Sequence, residues 1–140
     1  MDVAKDIKVL VIGGSGFIGG AIVRRAIALG WEVDSLGLSI PQKENREKSV
    51  NYLKANITNP NNLKKLANKQ YHYIVNTGGY IDHSLFFEGG DKVLDAHFNG
   101  LLNIINFIDK SKLIRFVNIG SSDEYGDISP PQSCLLYTSP

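Results

Sequence analysis

The chain has 140 residues, 43% of them hydrophobic and 21% charged, with a formal net charge of +1. That is room for one domain with a real core, and it holds neither the basic stripe that nucleic acid requires nor a run approaching the ~20 apolar residues of a membrane span. The polar start, Met1 to Lys8, has no apolar signal-peptide core, so a cytoplasmic protein is expected; Cys134 is alone, and His72, His83 and His97 lack metal-ligand spacing, so neither a disulfide framework nor a metal site is expected.

Ile7 to Ile12 reads as a first strand, its nearly continuous apolar run suiting a central parallel strand buried on both faces. It runs straight into Gly13, Gly16 and Gly19. Phe17, Ile18, Ala21, Ile22, Ala26 and Leu29 then recur at helical spacing, and Gly30 is placed to cap the helix. Strands are predicted at Trp31 to Leu38 and at Val50 to Ala55, with a polar loop from Pro41 to Ser49 between them. Asn59 followed by Pro60 signals a helix start, with Leu63, Leu66 and Ala67 as its buried stripe. Tyr73 to Val75 reads as a fourth strand ending in Asn76, Thr77, Gly78 and Gly79. The longest helix is predicted from Lys92 to Ile108, marked by Leu94, Phe98, Leu101, Leu102, Ile105 and Ile108, and Ile114 to Ile119 is a fifth strand closed by Gly120, Ser121 and Ser122.

Strands alternating with helices, with glycines and hydroxyls after the strands, describe an open, doubly wound parallel α/β sheet whose ligand crevice lies outside the strand carboxyl ends. A buried strand that enters a glycine-rich turn and opens a helix is a phosphate-binding device. The turn lets backbone approach a pyrophosphate, and the helix N-terminus supplies free N–H groups and partial positive charge. Spaced glycines alone are also compatible with a tight turn that binds nothing. The strand before and the helix after favour a dinucleotide.

Five motifs in order carry a resemblance: GGSGFIG (Gly13 to Gly19), ANIT (Ala55 to Thr58), NTGG (Asn76 to Gly79), YIDHS (Tyr80 to Ser84) and FVNIGSSDEYGD (Phe116 to Asp127). Together they resemble the extended short-chain dehydrogenase/reductases, the NAD-dependent epimerase/dehydratases that act on nucleotide sugars. The resemblance implies a Rossmann-like NAD(P)-binding domain over 1–127, represented by its N-terminal part of about five strands, with 128–140 an irregular tail. It implies NAD or NADP as cofactor, held by Gly13, Ser15, Gly16, Phe17, Ile18, Gly19, Ser39, Asn56, Ile57, Thr77, Gly78 and Gly79. Its catalytic Ser/Thr falls on Ser121, a hydroxyl able to hold a sugar C4 oxygen for hydride transfer. Asp123 stands in the dehydratases' acidic pair and is the candidate acid or base. A nucleotide sugar is the implied substrate and a homodimer the implied assembly.

Several positions depart from that pattern. Ser122 and Asp123 replace an Asp-Glu pair, which argues against a 4,6-dehydratase. The acid expected about twenty residues beyond the glycines, where it would bind the ribose 2′-hydroxyl of NAD, is replaced by Gly37, Leu38 and Ser39. Asp34 lies too early, inside the strand, whereas Ser39, Lys43 or Arg46 could reach a 2′-phosphate, so NAD and NADP both stay open. Asn56 replaces an adenine-contacting Asp, and His97 stands where the family often has Asn and reads as a helix-packing residue. The family's Tyr-x-x-x-Lys pair would fall beyond Pro140. Tyr137 has no lysine after it, and Ser133 to Pro140 resembles translated adapter sequence more than the family. The reading is therefore the cofactor-binding part of a nucleotide-sugar epimerase, dehydratase or 4-ketoreductase, inactive by itself. The alternative from another class is a catalytically inert NAD(P)-binding sensor or interaction protein.

Overall fold

The computed structural model describes residues 6–80 and 86–120. Five strands, β1 (Lys8–Ile12), β2 (Glu32–Gly37), β3 (Val50–Lys54), β4 (Tyr73–Asn76) and β5 (Arg115–Asn118), form one sheet in the order β3-β2-β1-β4-β5, with every pair parallel. The chain steps outward from β1 to β3, crosses back, and continues through β4 and β5. The order therefore reverses at β1, and a crevice opens between the carboxyl ends of β1 and β4.

The alternation along β1 supplies both cores. Leu10 and Ile12 join Leu36, Leu63, Leu66, Tyr71, Ile74 and Ile104 on one face. Val9 and Val11 join Val23, Ala26 and Val33 on the other. A strand buried on both sides has no solvated face, which is why the run KVLVI carries no polar alternation.

Helix α1 (Phe17–Ala28) ends as predicted. Gly30 takes φ +76, its N–H reaching Ile27 O at 2.9 Å and the Trp31 N–H reaching Ala26 O at 3.1 Å, the paired bonds of a left-handed C-terminal cap. Its buried stripe differs from the expected one: Gly19, Val23 and Ala26 face the sheet, while Phe17, 96% exposed, and Ile18, Ala21 and Leu29 face outward. Gly19 sets this rotation. A Cβ there would run into Gly13 O and Gly14 Cα, so only hydrogen lets the helix approach the turn, and the positions four and seven residues on then fall on the sheet. The outward apolar residues line a groove with Val9, Trp31, Tyr73 and Val75, in which Trp31 stacks on Tyr73 at 5.0 Å.

After β3 comes a single turn, α2 (Pro60–Leu63), continued by a 3-10 turn over Lys64–Leu66. Asn59 caps it as expected, its side chain accepting from the Asn61 N–H at 3.0 Å. Leu63 and Leu66 are buried, but Ala67 is exposed, because the switch to 3-10 geometry turns the next residue away from the core.

The helix predicted over 92–108 begins one residue earlier and is not uniform. It comprises α3 (Asp91–Leu94), a π-helical segment (Asp95–Asn99) and α4 (Gly100–Phe107). Its buried residues are Gly100, Ile104 and Ile108, whereas Leu94, Phe98, Leu102 and Ile105 of the expected stripe are exposed. The cause again is a glycine contact. A Cβ on Gly100 would lie 2.8 Å from the Ile57 side chain, so α4 meets the turn after β3 through its smallest residue, keeps Ile104 in the core, and turns Leu102 and Ile105 outward.

Candidate functional site

The carboxyl ends of β1 to β4 converge on the glycine turn. Gly13 adopts φ +77, a conformation costly for any residue with a Cβ, and donates its N–H to Leu36 O at 2.7 Å, tying the turn to the end of β2. The Gly16 N–H then bonds Gly13 O at 2.9 Å and closes the turn. Gly16 is the N-cap of α1; no side chain caps the helix and no acid stands in its first turn. The N-terminal amides and the positive end of the dipole are thus left without a protein anion, the condition in which a helix N-terminus takes a phosphate.

The end of β4 is bound to the same turn. Thr77 donates its backbone N–H and its Oγ1 hydroxyl to Ile12 O, at 2.9 and 2.7 Å. Asn76 Oδ1 accepts from the Gly78 N–H at 3.1 Å, and Asn76 Nδ2 donates to Asn118 Oδ1 at 2.8 Å, joining the ends of β4 and β5. The π-helical segment sets the next step. His97 packs its ring over Gly79, where a Cβ would lie 2.5 Å from ring Cε1, and its Nε2 lies 3.1 Å from Tyr80 O. His97 is therefore a packing residue, as expected, but against the turn after β4 instead of another helix.

On the other wall, Asn56 Oδ1 accepts from the N–H and the hydroxyl of Thr58, both at 3.0 Å, and folds the chain after β3 into a turn. Asn103 of α4 donates to Ile57 O at 3.0 Å and holds that turn from behind. Between these walls lies a cleft of about 510 Å³, within the range of cofactor sites. It is lined by Ser15, Gly13 and Gly16 of the glycine turn, Leu36 to Ser39, Ala55 to Thr58, Thr77 to Tyr80, and Lys92, Asp95 and Ala96.

Of the residues singled out by sequence, Gly13, Ser15, Gly16, Ser39, Asn56, Ile57, Thr77, Gly78 and Gly79 come together in this cleft. Gly19 lies buried beneath the turn. The side chains of Phe17 and Ile18 line the groove on the far side of α1, so any part they take in phosphate binding is through backbone amides. Ser121 and Asp123 lie outside the described residues. Lys92 and Asp95 are not singled out by sequence, yet both line the cleft, and Asp95 accepts from Asn99 Nδ2 at 3.0 Å. Their signal is the run of polar residues at Asp95, His97 and Asn99, which interrupts the apolar spacing where the helix widens.

Asp34 lies fully buried in β2. Burial pushes its carboxyl upward, but donors from Lys69 at 2.8 Å, Tyr71 at 2.6 Å and Asn51 at 2.9 Å hold it below the ordinary carboxylate value. Among the described residues no group of His, Cys, Asp and Glu could hold a metal, and no helix is long and apolar enough to cross a membrane.

A parallel sheet that reverses its order beside a glycine turn, with an uncapped helix N-terminus over a cleft, defines the doubly wound dinucleotide-binding class. The sequence model of the NAD dependent epimerase/dehydratase family matches residues 9–140, and the chain belongs to that family. NAD(P) is accordingly the cofactor, and the cleft fits it: the glycines leave room that a Cβ would fill, and no protein anion competes at α1. Among solved structures the chain is similar to the ADP-L-glycero-D-manno-heptose-6-epimerase of Helicobacter pylori, with TM-score 0.79 and 20% identity, covering 98% of this chain and 46% of that one. A short-chain dehydrogenase from Leptospira borgpetersenii with bound NAD+ gives TM-score 0.77 and 23% identity over 90% of this chain and 56% of that one. The UDP-glucose 4-epimerase of Thermus thermophilus in complex with NAD gives 0.61 and 24%, over 71% and 33%. The chain thus spans between a third and just over half of those proteins, and the likeness shows the fold. No curated protein matches the chain significantly.

Proposed function

We propose that residues 1–127 form the cofactor-binding part of an enzyme that oxidises or reduces C4 of a nucleotide sugar, as an epimerase, dehydratase or 4-ketoreductase. The observation that carries this reading is the N-terminus of α1, left without a capping side chain or an acid, behind the left-handed Gly13 and over the cleft. When bound, the nicotinamide exchanges a hydride with the sugar carbon. The chain's own residues hold the pyrophosphate on the α1 amides, wall the adenosine with Leu36, Ala55 and Ile57, and place the nicotinamide end beside Thr77 to Gly79. Ser121, a few residues past the end of β5, is the residue we assign to the sugar oxygen, with Asp123 as the acid or base. We assign a homodimer contact to the exposed apolar stripe of α3, the π-helical segment and α4.

Calorimetric titration with NADH and NADPH tests the reading, and Gly16→Asp isolates it. The extended backbone of Gly16 (φ −79, ψ 179) suits Asp as an N-cap; its Cβ would approach Gly13 O to 3.2 Å, which asks a small shift of the turn, and circular dichroism checks that the helix is kept while the new carboxylate repels a pyrophosphate. Binding to the unaltered protein and its loss in Gly16→Asp are expected. Equal binding by both, or by neither, removes the dinucleotide assignment.

A further inference from the structure

Resting on that reading, we infer that the adenosine end of the cleft accepts a 2′-phosphate, with Arg46 as its cation, so that the protein binds NADPH at least as tightly as NADH. Sites that select NAD place a carboxylate at the end of the second strand, where it bonds the ribose 2′-hydroxyl and repels a phosphate there. Here that end is Gly37, followed by Leu38 and Ser39 at the cleft wall. A Cβ built on Gly37 lies 3.7 Å from Ser15 Oγ in the glycine turn and 3.5 Å from Ser39 O. The position therefore points over the phosphate-binding loop, where the selecting carboxylate would stand, and carries no side chain.

No other acid takes its place. Asp34 lies three residues earlier on β2, fully buried, and its two oxygens are spent on Lys69, Tyr71 and Asn51. Glu32 is at the opposite end of β2, paired with Lys8. Asp95, the one acid lining the cleft among the described residues, sits on the helical wall beside Lys92 and accepts from Asn99. The loop leaving β2 carries the cations Lys43, Arg46 and Lys48 with the acids Glu44 and Glu47; none of these lines the cleft itself, and the cations outnumber the acids. Arg46 Nε donates to Pro41 O at 2.7 Å, which fixes its guanidinium on the segment that continues from Ser39 while leaving the paired terminal nitrogens for an anion. Ser15 and Ser39 contribute hydroxyls on the same side of the cleft.

Dissociation constants for NADH and NADPH, read from nicotinamide fluorescence and calorimetry on the purified protein, test this. NADPH is expected to bind as tightly as NADH or more so. Arg46→Ala, a change at an exposed side chain, should weaken NADPH several-fold and leave NADH unchanged. Gly37→Asp, which meets only ordinary contacts, should weaken NADPH about tenfold or more and retain NADH. A preference of the unaltered protein for NADH of about tenfold or more, or an Arg46→Ala variant that loses nothing toward NADPH, overturns the inference while the dinucleotide reading stands. Binding of neither nucleotide overturns both.

Discussion

The Tyr71 hydroxyl donates to Asp34 Oδ2 across 2.6 Å, and both side chains are fully buried beneath the sheet. Burial, and then the Asp34 carboxylate, push the phenol well above its usual pKa, so it stays a donor at any physiological pH. With Lys69 and Asn51 it completes a cage around one negative charge. Removing the acid leaves the buried phenol without an acceptor, so Asp34→Ala should cost about 2–4 kcal/mol in urea unfolding, whereas Tyr71→Phe leaves two donors in place and should cost about 1 kcal/mol.

The same cage gives a pH dependence. The folded pKa of Asp34 lies below its unfolded value of about 3.9, so its contribution is complete above that value and is lost as pH falls through the folded one. Urea midpoints measured between about pH 2.5 and 7 should fall on the acid side, and more shallowly in Asp34→Ala. Parallel curves for the two proteins would show that other carboxylates control the acid limb.

Two glycines of α1 and its cap separate stability from binding. Gly30 holds φ +76 with no atom within 4 Å of the point a Cβ would occupy, so Gly30→Ala should cost about 1 kcal/mol of backbone strain and leave dinucleotide affinity unchanged. Gly19 has ordinary φ but lies against Gly13 O and Gly14 Cα. Gly19→Ala must push α1 off the turn, and both thermal stability and cofactor binding should drop. Matching losses of affinity in the two variants would contradict the role given to the close approach.

Gly79 and His97 should show coupling of opposite kind. Gly79→Ala drives a methyl into the imidazole and should displace the turn after β4, weakening dinucleotide binding. Because His97 is exposed, His97→Ala should cost little alone, and in the double variant it should restore part of the affinity. Additive effects in the cycle would mean that the turn is held by other contacts.

The strands, their parallel order and the glycine turn are legible in the sequence because a central strand must be apolar on both faces and because glycine has few reasons to recur at a strand end. The cleft walls at Ser39, Asn56 and Thr77 to Gly79 follow from that topology. The helix faces are only partly legible, and the reason is common to both helices: apolar periodicity ranks residues by size and finds Ala26 and Ile108, while the rotation of α1 and α4 is set by the close contacts of Gly19 and Gly100. The burial of Asp34 is legible as a position inside a strand, but its three donors come from β3 and the segment before β4, which no local pattern connects. The π-helical segment also escapes, since its polar residues break the apolar spacing without marking in which direction the helix widens.

The glycine contact of α4 leaves Leu94, Phe98, Leu102 and Ile105 as an exposed apolar row on one long helical unit, Phe98 being 58% exposed. Spacings of four, four and three residues keep them on one face, and such a contiguous row is a contact surface more often than a solvated one. With a second copy as its partner, the row would be covered by its own equivalent across a two-fold axis, as an isologous dimer requires. Phe98→Glu places a charge at its centre, on a side chain that is already mostly exposed. Sedimentation should therefore report a dimer for the unaltered protein at micromolar concentration and a monomer for Phe98→Glu, with circular dichroism unchanged. An unaltered protein that is already monomeric would overturn the dimer, and a variant that still dimerises would place its contact elsewhere on the molecule.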